Sequence, residues 1–407
     1  MTEAVRAEVR GWIAEKWSLD ITVREWWRRL ADARLVAPTW PSPFGRGVAP
    51  SLARAAAQEL AVAGTVAPPT GMVGVGMAGP TLLAHGTDVQ RLRFLSPMLL
   101  GEESWCQLFS EPGAGSDLPS LTTRAVRTEG GWQVTGHKLW SSGAHLARRG
   151  LLLARTEPGS SGRAGITYFV IDLDQPGVEV RPLRTMTGDA PFCEVFLDEA
   201  HVADDDVVGA PGDGWRVART TLHAERASAG DRPARGLVPV ASGESAGQLD
   251  RLTGDVCAAR HDRPTRFSGS AVRAKEMIEL ARDSQVTGEA VMRQDLARYW
   301  TLTTVHRLTQ GRAAASNALG RRGEADAAGA VTKLGLSRLC RASRDLSFAA
   351  LGADAMLAGA DAPHGGAVQV VGLSSAGVSI GAGTDEIQRT TIAERTLGLP
   401  REPSAMS

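Results

Sequence analysis

The chain has 407 residues, of which 43% are hydrophobic and 22% are charged. These proportions are ordinary for a globular protein and argue against a disordered, collagen-like or coiled-coil chain. Lysine plus arginine number 45 and aspartate plus glutamate number 45, so the formal net charge is zero. A neutral chain has no overall attraction to nucleic acid or to an anionic membrane, so any anionic ligand must be held locally.

Targeting and metal-binding signals are weak. The N-terminal sequence MTEAVRAEVRGW lacks the apolar core of a signal peptide, and the four cysteines include no Cys-x-x-Cys pair. We therefore expect a reduced, cytoplasmic protein. No stretch reaches the ~18 consecutive apolar residues that a membrane span requires. The eight histidines are scattered without ligand spacing, so we expect no metal site.

The N-terminal region has the pattern of helices. Thr22, followed three residues later by Glu25, predicts a capping box, with Trp26 on the buried side of the helix that it opens. A second box, Thr87 with Gln90, predicts another helix. The side chains expected to face inward on that second helix are Val89, Leu92 and Leu95.

Between about residues 118 and 205 the hydrophobic period changes to two, which is typical of β-strands. Short segments such as WQVTGHKLW and ITYFVIDL are separated by Gly, Pro and Asp turns. Helical spacing returns after Gly214. The expected organisation is α+β, with a helical domain over 1–100, a β domain over 101–208 and a helical bundle over 209–407. An irregular loop is expected at about 228–270, where Gly, Ser, Pro and Arg accumulate.

One glycine motif is a decoy. Gly74, Gly76 and Gly79 have the spacing of a dinucleotide-binding turn, which requires a preceding strand and an acidic residue about 20 positions later. Here the run follows PPT in a helical region, and Leu99 occupies the position twenty residues after Gly79. Helix packing or a tight turn is therefore the preferred interpretation.

The most informative block is WCQLFSEPGAGSDLPSLTTRA, residues 105–125, followed by GHKLWSSGA, residues 136–144. The run from Glu111 to Asp117 forms turns and contains two glycines, which suits the approach of backbone N–H groups to a ligand. Trp140, followed by Ser142, could stack on a planar ring while a hydroxyl group bonds its edge. A turn leading into the β domain and a core tryptophan are the alternatives.

These blocks, in this order, resemble the acyl-CoA dehydrogenase family. Further segments that carry the resemblance are GITYFVIDLDQPGVEVRPLRTMTG, DEAHVADDDVVGAPGDGWRVARTTLHAERAS and GAGTDEIQRTTIAERTLGLPREP. Each block alone is modest evidence, whereas their combination in order is highly specific. The resemblance implies an N-terminal helical domain, a central β-barrel or sandwich domain and a C-terminal four-helix bundle.

The resemblance also implies chemistry. Family members bind FAD in a site that a neighbouring subunit completes, and they are usually homotetramers or dimers of dimers. A carboxylate removes the α-proton of an acyl thioester while the β-hydrogen leaves as hydride to flavin N5. We therefore expect FAD as cofactor and acyl-CoA or an acyl-carrier protein as substrate carrier. An electron-transfer flavoprotein is the expected electron acceptor, and the expected assembly is a homo-oligomer or a heteromer with a paralogous subunit.

The family's site residues carry over position by position. Those that match flavin contacts are Phe109, Ser110, Trp140, Ser142, Thr384 and Glu386. Ser116 matches a position beside the acyl thioester or pantetheine. Thr384 and Glu386 open the last helix, so helix capping alone also explains those two residues.

The catalytic position departs from the family pattern. Many members have Glu-Gly-Thr just before the last helix, whereas this chain has alanine at position 382. Alanine cannot accept a proton, so the base must lie elsewhere or the chain does not perform the reaction. Glu225 matches the alternative base position of some branched-chain and long-chain members, and Arg226 matches an arginine near that base. A surface Glu beside an Arg is the plain alternative.

A second departure concerns the adenosine end of FAD. The resemblance places Ser284 and Ala349 where many members have an arginine and a glutamine that reach the cofactor of a neighbouring subunit, and Arg282 and Gln294 are the alternative contacts. A lost hydrogen bond to a charged group costs about 1.5–3 kcal/mol of binding. Two other functions therefore stay open, a non-catalytic subunit that completes a partner's FAD site and a flavin oxidase or monooxygenase on the same fold.

Overall fold

A computed structural model describes residues 2–69, 71, 73–228, 234, 236–261, 271–319 and 322–400. The chain divides into two compact units. The first comprises Met1–Thr185 and Asp189–Arg263, and the second comprises Met186–Gly188 and Pro264–Ser407. The first unit therefore contains both the N-terminal helices and the β-strands.

Five helices precede the strands: α1 (Thr2–Lys16), α2 (Val23–Asp32), α3 (Pro50–Val62), α4 (Gly79–His85) and α5 (Asp88–Leu99). Thr22 caps α2 by accepting a hydrogen bond from the N–H of Glu25. Trp26, on the same helix, is fully buried, and its indole N–H donates to the carbonyl of Val66 at 2.9 Å. Because its polar atom is paired, this large side chain anchors the N-terminal core without a desolvation penalty.

Helix α5 begins with the predicted capping box, but its buried face differs from the predicted one. Val89 and Leu92 are 70% and 59% exposed, so their expected inward position was wrong. The buried residues of this helix are Gln90, Phe94, Leu95, Met98 and Leu99. The amide of Gln90 donates to the carbonyls of Asp205 and Val207, both at 2.8 Å. Because its amide is paired, the polar residue Gln90 can occupy the buried side of the helix. A pattern of apolar residues does not predict such a position.

The glycine run over residues 74–79, which has the spacing of a dinucleotide-binding turn, is helical. Gly74–Ala78 forms a π-helical turn that runs directly into α4. A Cβ atom on Gly79 would lie 2.1 Å from the ring of Trp40. Glycine at this position therefore permits close helix packing, as the preferred interpretation held.

Seven strands form one sheet: β1 (Trp105–Leu108), β2 (Arg124–Thr128), β3 (Gly131–Ser142), β4 (Arg149–Arg155), β5 (Ile166–Asp172), β6 (Val178–Leu183) and β7 (Phe192–Ala203). The strand order is β1-β4-β2-β3-β7-β6, and β5 pairs with β4. Strand β1 pairs in parallel with β4, whereas β3 pairs antiparallel with β7. The β3–β7 register shifts between Lys138 and Ser141, which marks a β-bulge.

Two more helices belong to the first unit, α6 (Gly214–Ser228) and α7 (Thr253–His261). The sequence assigned α6 to the C-terminal bundle, whereas it packs against α4 and β5. A Cβ atom on Gly214 would lie 2.5 Å from the carbonyl carbon of Thr167, so glycine allows the helix to begin against β5. The prediction of an irregular loop over 228–270 was wrong for α7, whose Val256 is buried in the core. Residues 229–233, 235 and 262–270 lie outside the described part of the chain.

The second unit is helical, as the periodicity predicted. Its helices are α8 (Ala274–Asp283), α9 (Ala290–Ala318), α10 (Arg322–Leu351), α11 (Ala367–Val378) and α12 (Asp385–Thr391). Helix α10 contacts all four of the others. Among the residues that the structure describes, no helix is both long and apolar enough to cross a membrane.

Candidate active site

The structure brings the two chemically informative blocks of the sequence together. The chain leaves β1 through Phe109 and Ser110, while β3 ends in Trp140 and Ser142. The N–H of Leu139 donates to the carbonyl of Ser110 at 2.9 Å and joins the two segments. Four of the six predicted flavin-contacting residues are therefore held close together in the first unit.

A buried ion pair lies beneath this junction. The ammonium of Lys138, which is fully buried, donates to Glu111 Oε1 at 2.8 Å. Burial alone would raise the pKa of Glu111, but the charge and hydrogen bond of Lys138, with donors from Thr123 and Thr122, outweigh it and hold this pKa at about 2. Burial lowers the pKa of Lys138 to about 8, although Glu111 opposes the shift. Both groups are therefore charged near neutral pH.

Trp140 has an unusual backbone conformation at the bulge. Its φ is 62°, in the left-handed region that bulky residues rarely adopt. Its side chain is 54% exposed and makes a T-shaped contact with the ring of Phe192, with ring centroids 5.7 Å apart and planes at 85°. Backbone strain of this kind costs roughly 1–3 kcal/mol and is concentrated at functional sites. The bulge therefore leaves much of the indole exposed, which is not the position of a core tryptophan.

Phe109 has a different role. Its ring is 3% exposed and packs edge-on against Tyr168, with centroids 5.9 Å apart. The buried ring leaves the backbone of this residue as its means of contact with a ligand. Ser110 and Ser142 are half-buried. Ser142 also lines a cleft of about 230 Å³ together with Gly143, Trp105, Met98 and Val73.

The candidate base is connected to this region through Tyr168. The Tyr168 hydroxyl lies 3.0 Å from the hydroxyl of Thr221 on α6. Thr221 is fully buried, and Glu225 follows it by one helical turn on the same face of α6. Glu225 is half-buried. A continuous set of contacts thus runs from Phe109 through Tyr168 to the helical face that carries this carboxylate.

The remaining predicted residues are dispersed. Ser116 is exposed in the turn that follows Glu111. Arg226 lies on α6, and its side chain is outside the described part of the structure. Thr384 and Glu386 are in the second unit, where the Thr384 hydroxyl caps α12 by accepting from the N–H of Ile387 at 3.3 Å.

The turn before α12 is rigidly supported although it lacks the family carboxylate. Ala382 and Gly383 both have positive φ, 54° and 86°. Asp385, which is 4% exposed, accepts from Lys333 Nζ at 2.9 Å and from Arg341 Nη1 at 3.0 Å. Burial would raise the pKa of Asp385, but the Lys333 and Arg341 donors outweigh it and hold that pKa at about 2.

Sequence reasoning missed the buried polar residues of the site. Lys138, Tyr168 and Thr221 were not singled out because each type is common on surfaces. The β3 pattern did contain a signal, since Trp132, Val134 and Lys138 are all buried and lie an even number of residues apart. A lysine on the inward side of an alternating strand requires a buried partner. Within the described ranges, no group of three or more His, Cys, Asp or Glu side chains could hold a metal ion.

Comparison with family models assigns the fold. The N-terminal, middle and C-terminal domain models of acyl-CoA dehydrogenase match residues 1–102, 106–200 and 260–397. The chain therefore belongs to the acyl-CoA dehydrogenase family, whose members are oxidoreductases that act on CH–CH bonds. The expected fold class is confirmed.

Individual relatives refine this assignment. The chain is 35% identical over 420 residues to acyl-CoA dehydrogenase IpdE1 of Mycobacterium tuberculosis, covering 98% of each chain. It is 45% identical over 294 residues to acyl-CoA dehydrogenase FadE34 of the same organism, covering 70% of this chain but only 39% of that longer protein. The crystal structure of the ChsE4–ChsE5 complex from Mycobacterium tuberculosis aligns with a TM-score of 0.70 at 25% identity, covering 98% of each chain.

The residues present fit the FAD that the family uses. The exposed indole of Trp140 suits a planar ring system, and the hydroxyl groups of the half-buried residues Ser110 and Ser142 suit the polar edge of such a ring. These features lie within one region of the first unit, on segments joined by a backbone hydrogen bond. The donor set is therefore compatible with an isoalloxazine ring.

Proposed function

We propose that this chain catalyses the FAD-dependent α,β-dehydrogenation of an acyl thioester, converting acyl-CoA to trans-2-enoyl-CoA. Glu225 takes the α-proton, and FAD, when bound, accepts the β-hydride at flavin N5. The observation that carries the proposal is the set of contacts from Phe109 through Tyr168 to Thr221, one turn before Glu225. It connects the predicted flavin segment to a half-buried carboxylate within one unit.

Glu225 is proposed as the general base from its residue type and its position on α6. Burial of a carboxyl group favours its neutral form, whereas a nearby cation favours its charged form. The preceding turn of α6 is fixed by the buried hydroxyl of Thr221, which limits movement of the helix. Arg226 is proposed as the cation that balances this effect. Ala382 leaves no competing carboxylate at the other family position.

The other residues hold the cofactor and substrate in this proposal. Phe109, Ser110, Trp140 and Ser142 bind the flavin ring system, and Thr384 and Glu386 match family positions that contact FAD. Ser116 binds near the thioester or pantetheine, of acyl-CoA or of an acyl-carrier protein. An electron-transfer flavoprotein reoxidises the flavin, and the protein acts in the cytoplasm.

Anaerobic flavin reduction tests the proposal. FAD-loaded protein is mixed with straight-chain, branched and ring-bearing acyl-CoAs while the flavin absorbance is followed, for wild type and Glu225→Gln. Loss of a general base should slow bleaching about a hundredfold to ten-thousandfold with FAD still bound. The matched control is Glu129→Gln, at an exposed turn of the sheet, which should bleach like wild type. Bleaching at equal rates in wild type and Glu225→Gln would exclude this base.

A second candidate function is a subunit that completes the FAD site of a paralogous partner. Ala382 and the residue types at Ser284 and Ala349 favour it, as does the similarity to a chain of the ChsE4–ChsE5 complex. In this case the purified chain is colourless and becomes yellow only when FAD and the partner are both added. Glu225→Gln would then leave the activity of the complex unchanged.

A further inference from the structure

Lys138 joins three separate segments of the first unit. Its ammonium donates to Glu111 Oε1 and to the carbonyl of Leu153, both at 2.8 Å, and to the carbonyl of Phe109 at 3.3 Å. An ammonium group has three N–H donors. All three are used, by two acceptors on the segment that follows β1 and one on β4, so the side chain has one defined position.

Glu111 closes the other side of the arrangement. Its Oε2 atom accepts from the N–H of Thr122 at 2.7 Å and from the hydroxyl of the same residue at 2.8 Å. Its Oε1 atom accepts from the N–H of Thr123 at 2.9 Å in addition to Lys138. The carboxylate thus ties both ends of the turn that contains Ser116. Lys138 and Glu111 together fix the exit from β1, this turn, β3 and β4 relative to one another.

A pair of this kind is an expensive way to stabilise a fold. The side chains of Lys138 and Glu111 are 0% and 4% exposed, and buried ion pairs are often no more stabilising than apolar residues of the same volume. Their hydrogen bonds, however, specify positions that apolar contacts leave free. The β-bulge that orients Trp140 begins directly after Lys138, and the carbonyl of Phe109 is one of the three acceptors.

We propose that Lys138, with Glu111 as its counter-ion, is a positioning residue that fixes the Phe109–Ser110 segment against the Trp140–Ser142 segment and thereby sets the geometry for FAD. The inference rests on the proposed function for the identity of the cofactor. The positioning itself is a property of the ligand-free protein. Neither side chain is required to touch the flavin.

The test separates the effect of losing the Lys138 ammonium from the effect of losing stability. Lys138→Met removes the ammonium, and the double variant Lys138→Met/Glu111→Met replaces both charges with apolar chains of similar length. The matched control is Glu59→Met, which removes a 6% exposed carboxylate paired with Arg6 at 2.6 Å. Glu59 lies on α3, which carries none of the predicted flavin residues. Thermal unfolding, the FAD dissociation constant and hydrogen–deuterium exchange of the Leu139 amide are measured for each protein.

The expected results separate position from stability. Lys138→Met should lower the unfolding temperature and weaken FAD binding by at least about tenfold, the effect of one lost hydrogen bond to a charged group. The double variant should recover part of the lost unfolding temperature, because no charge is left buried without its partner. It should recover neither FAD affinity nor slow exchange at Leu139, since the Phe109 carbonyl has lost its donor. Glu59→Met should lower the unfolding temperature but keep wild-type FAD affinity and slow exchange at Leu139. If Lys138→Met does not fold, the double variant and Glu111→Gln, the most conservative change, provide the comparison.

Two results would overturn the positioning role. One is a double variant that binds FAD with wild-type affinity and shows wild-type exchange at Leu139. The other is a control that loses as much FAD affinity as Lys138→Met, because the effect would then follow stability alone. A wild-type protein that binds no FAD, alone or with a partner, contradicts the proposed function instead, and exchange at Leu139 then decides the positioning role.

Discussion

Each of the two units contains a buried carboxylate that holds a turn, and the two turns differ in what they support. Glu111 is paired with Lys138, which is fully buried, so that the whole ion pair is closed off from water. Asp385 is paired with Lys333 and Arg341, whose side chains are 12% and 40% exposed. We call the Glu111–Lys138 pair the closed pair. We call the pairing of Asp385 with Lys333 and Arg341 the open pair, because these two cations can reach solvent when the carboxylate is removed.

The two turns also differ in chemistry. The turn at Glu111 adjoins an exposed aromatic face at Trp140, whereas the turn at Asp385 has a methyl group at Ala382 where many family members have the base. Rigid support of a turn therefore does not identify a catalytic position. The side chain available at the turn must also be able to perform the step, and for proton transfer the proposed residue is Glu225 on α6.

The largest expected effect is the removal of the closed carboxylate. Glu111→Ala leaves the Lys138 ammonium buried without a counter-ion and should lower the free energy of unfolding by about 3–5 kcal/mol. Urea denaturation followed by tryptophan fluorescence measures this, since nine of the ten tryptophans lie in the first unit. A loss below about 1 kcal/mol would mean that water enters and the pair is not closed.

The second-largest expected effect is a loss of folding stability in acid, caused by protonation of the closed pair. The pKa of Glu111 is about 2 in the folded chain against 4.5 in the unfolded chain. A lowered carboxyl pKa contributes stability that is fully present above pH 4.5 and is lost as the pH falls toward 2, here about 3 kcal/mol. Stability curves for wild type and Glu111→Gln should therefore converge between pH 4.5 and 2. Parallel curves over that range would contradict the assignment.

The open pair should cost less to break. Asp385→Ala should lower the free energy of unfolding by about 1.5–3 kcal/mol, the value of hydrogen bonds to a charged group, because Lys333 and Arg341 can turn toward water. Hydrogen exchange of the second unit, with Glu111→Ala as the comparison, measures the difference. A loss for Asp385→Ala equal to that for Glu111→Ala would remove the distinction between closed and open pairs.

A neutral network in the first unit shows how much of the cost is due to charge. Tyr168→Phe removes the hydroxyl that meets Thr221 at 3.0 Å and should cost about 1 kcal/mol, as for an uncharged hydrogen bond. Thr221→Val should cost a similar amount, and the double variant should cost less than the sum because the two groups interact. Additive losses, measured by urea denaturation, would show that the two hydroxyl groups act independently.

The sequence predicted the architecture better than it predicted the site. Period-two and helical patterns located β3, β5 and the C-terminal helices, because these patterns follow directly from which faces are buried. The predicted inward face of α5 was right for Leu95 but wrong for Val89 and Leu92, since Gln90 takes a buried position by pairing its amide with distant carbonyls. Contacts between residues far apart in the chain, such as Tyr168 with Thr221, have no local signature. The roles proposed for Glu225 and Ser116 stay predictions.

The smallest expected effect concerns the backbone of the open turn. Ala382 has a φ of 54°, a conformation that costs an L-residue about 1–2 kcal/mol, and glycine adopts it freely. Ala382→Gly should therefore stabilise the protein by about 0.5 kcal/mol after the greater entropy of unfolded glycine is subtracted. Trp140→Gly relieves similar strain, but it removes the aromatic face and should weaken FAD binding, whereas Ala382→Gly should not. Thermal unfolding and FAD titration of both variants compare the two turns directly. Equal FAD affinities of Trp140→Gly and Ala382→Gly would mean that strain at Trp140 serves no binding role.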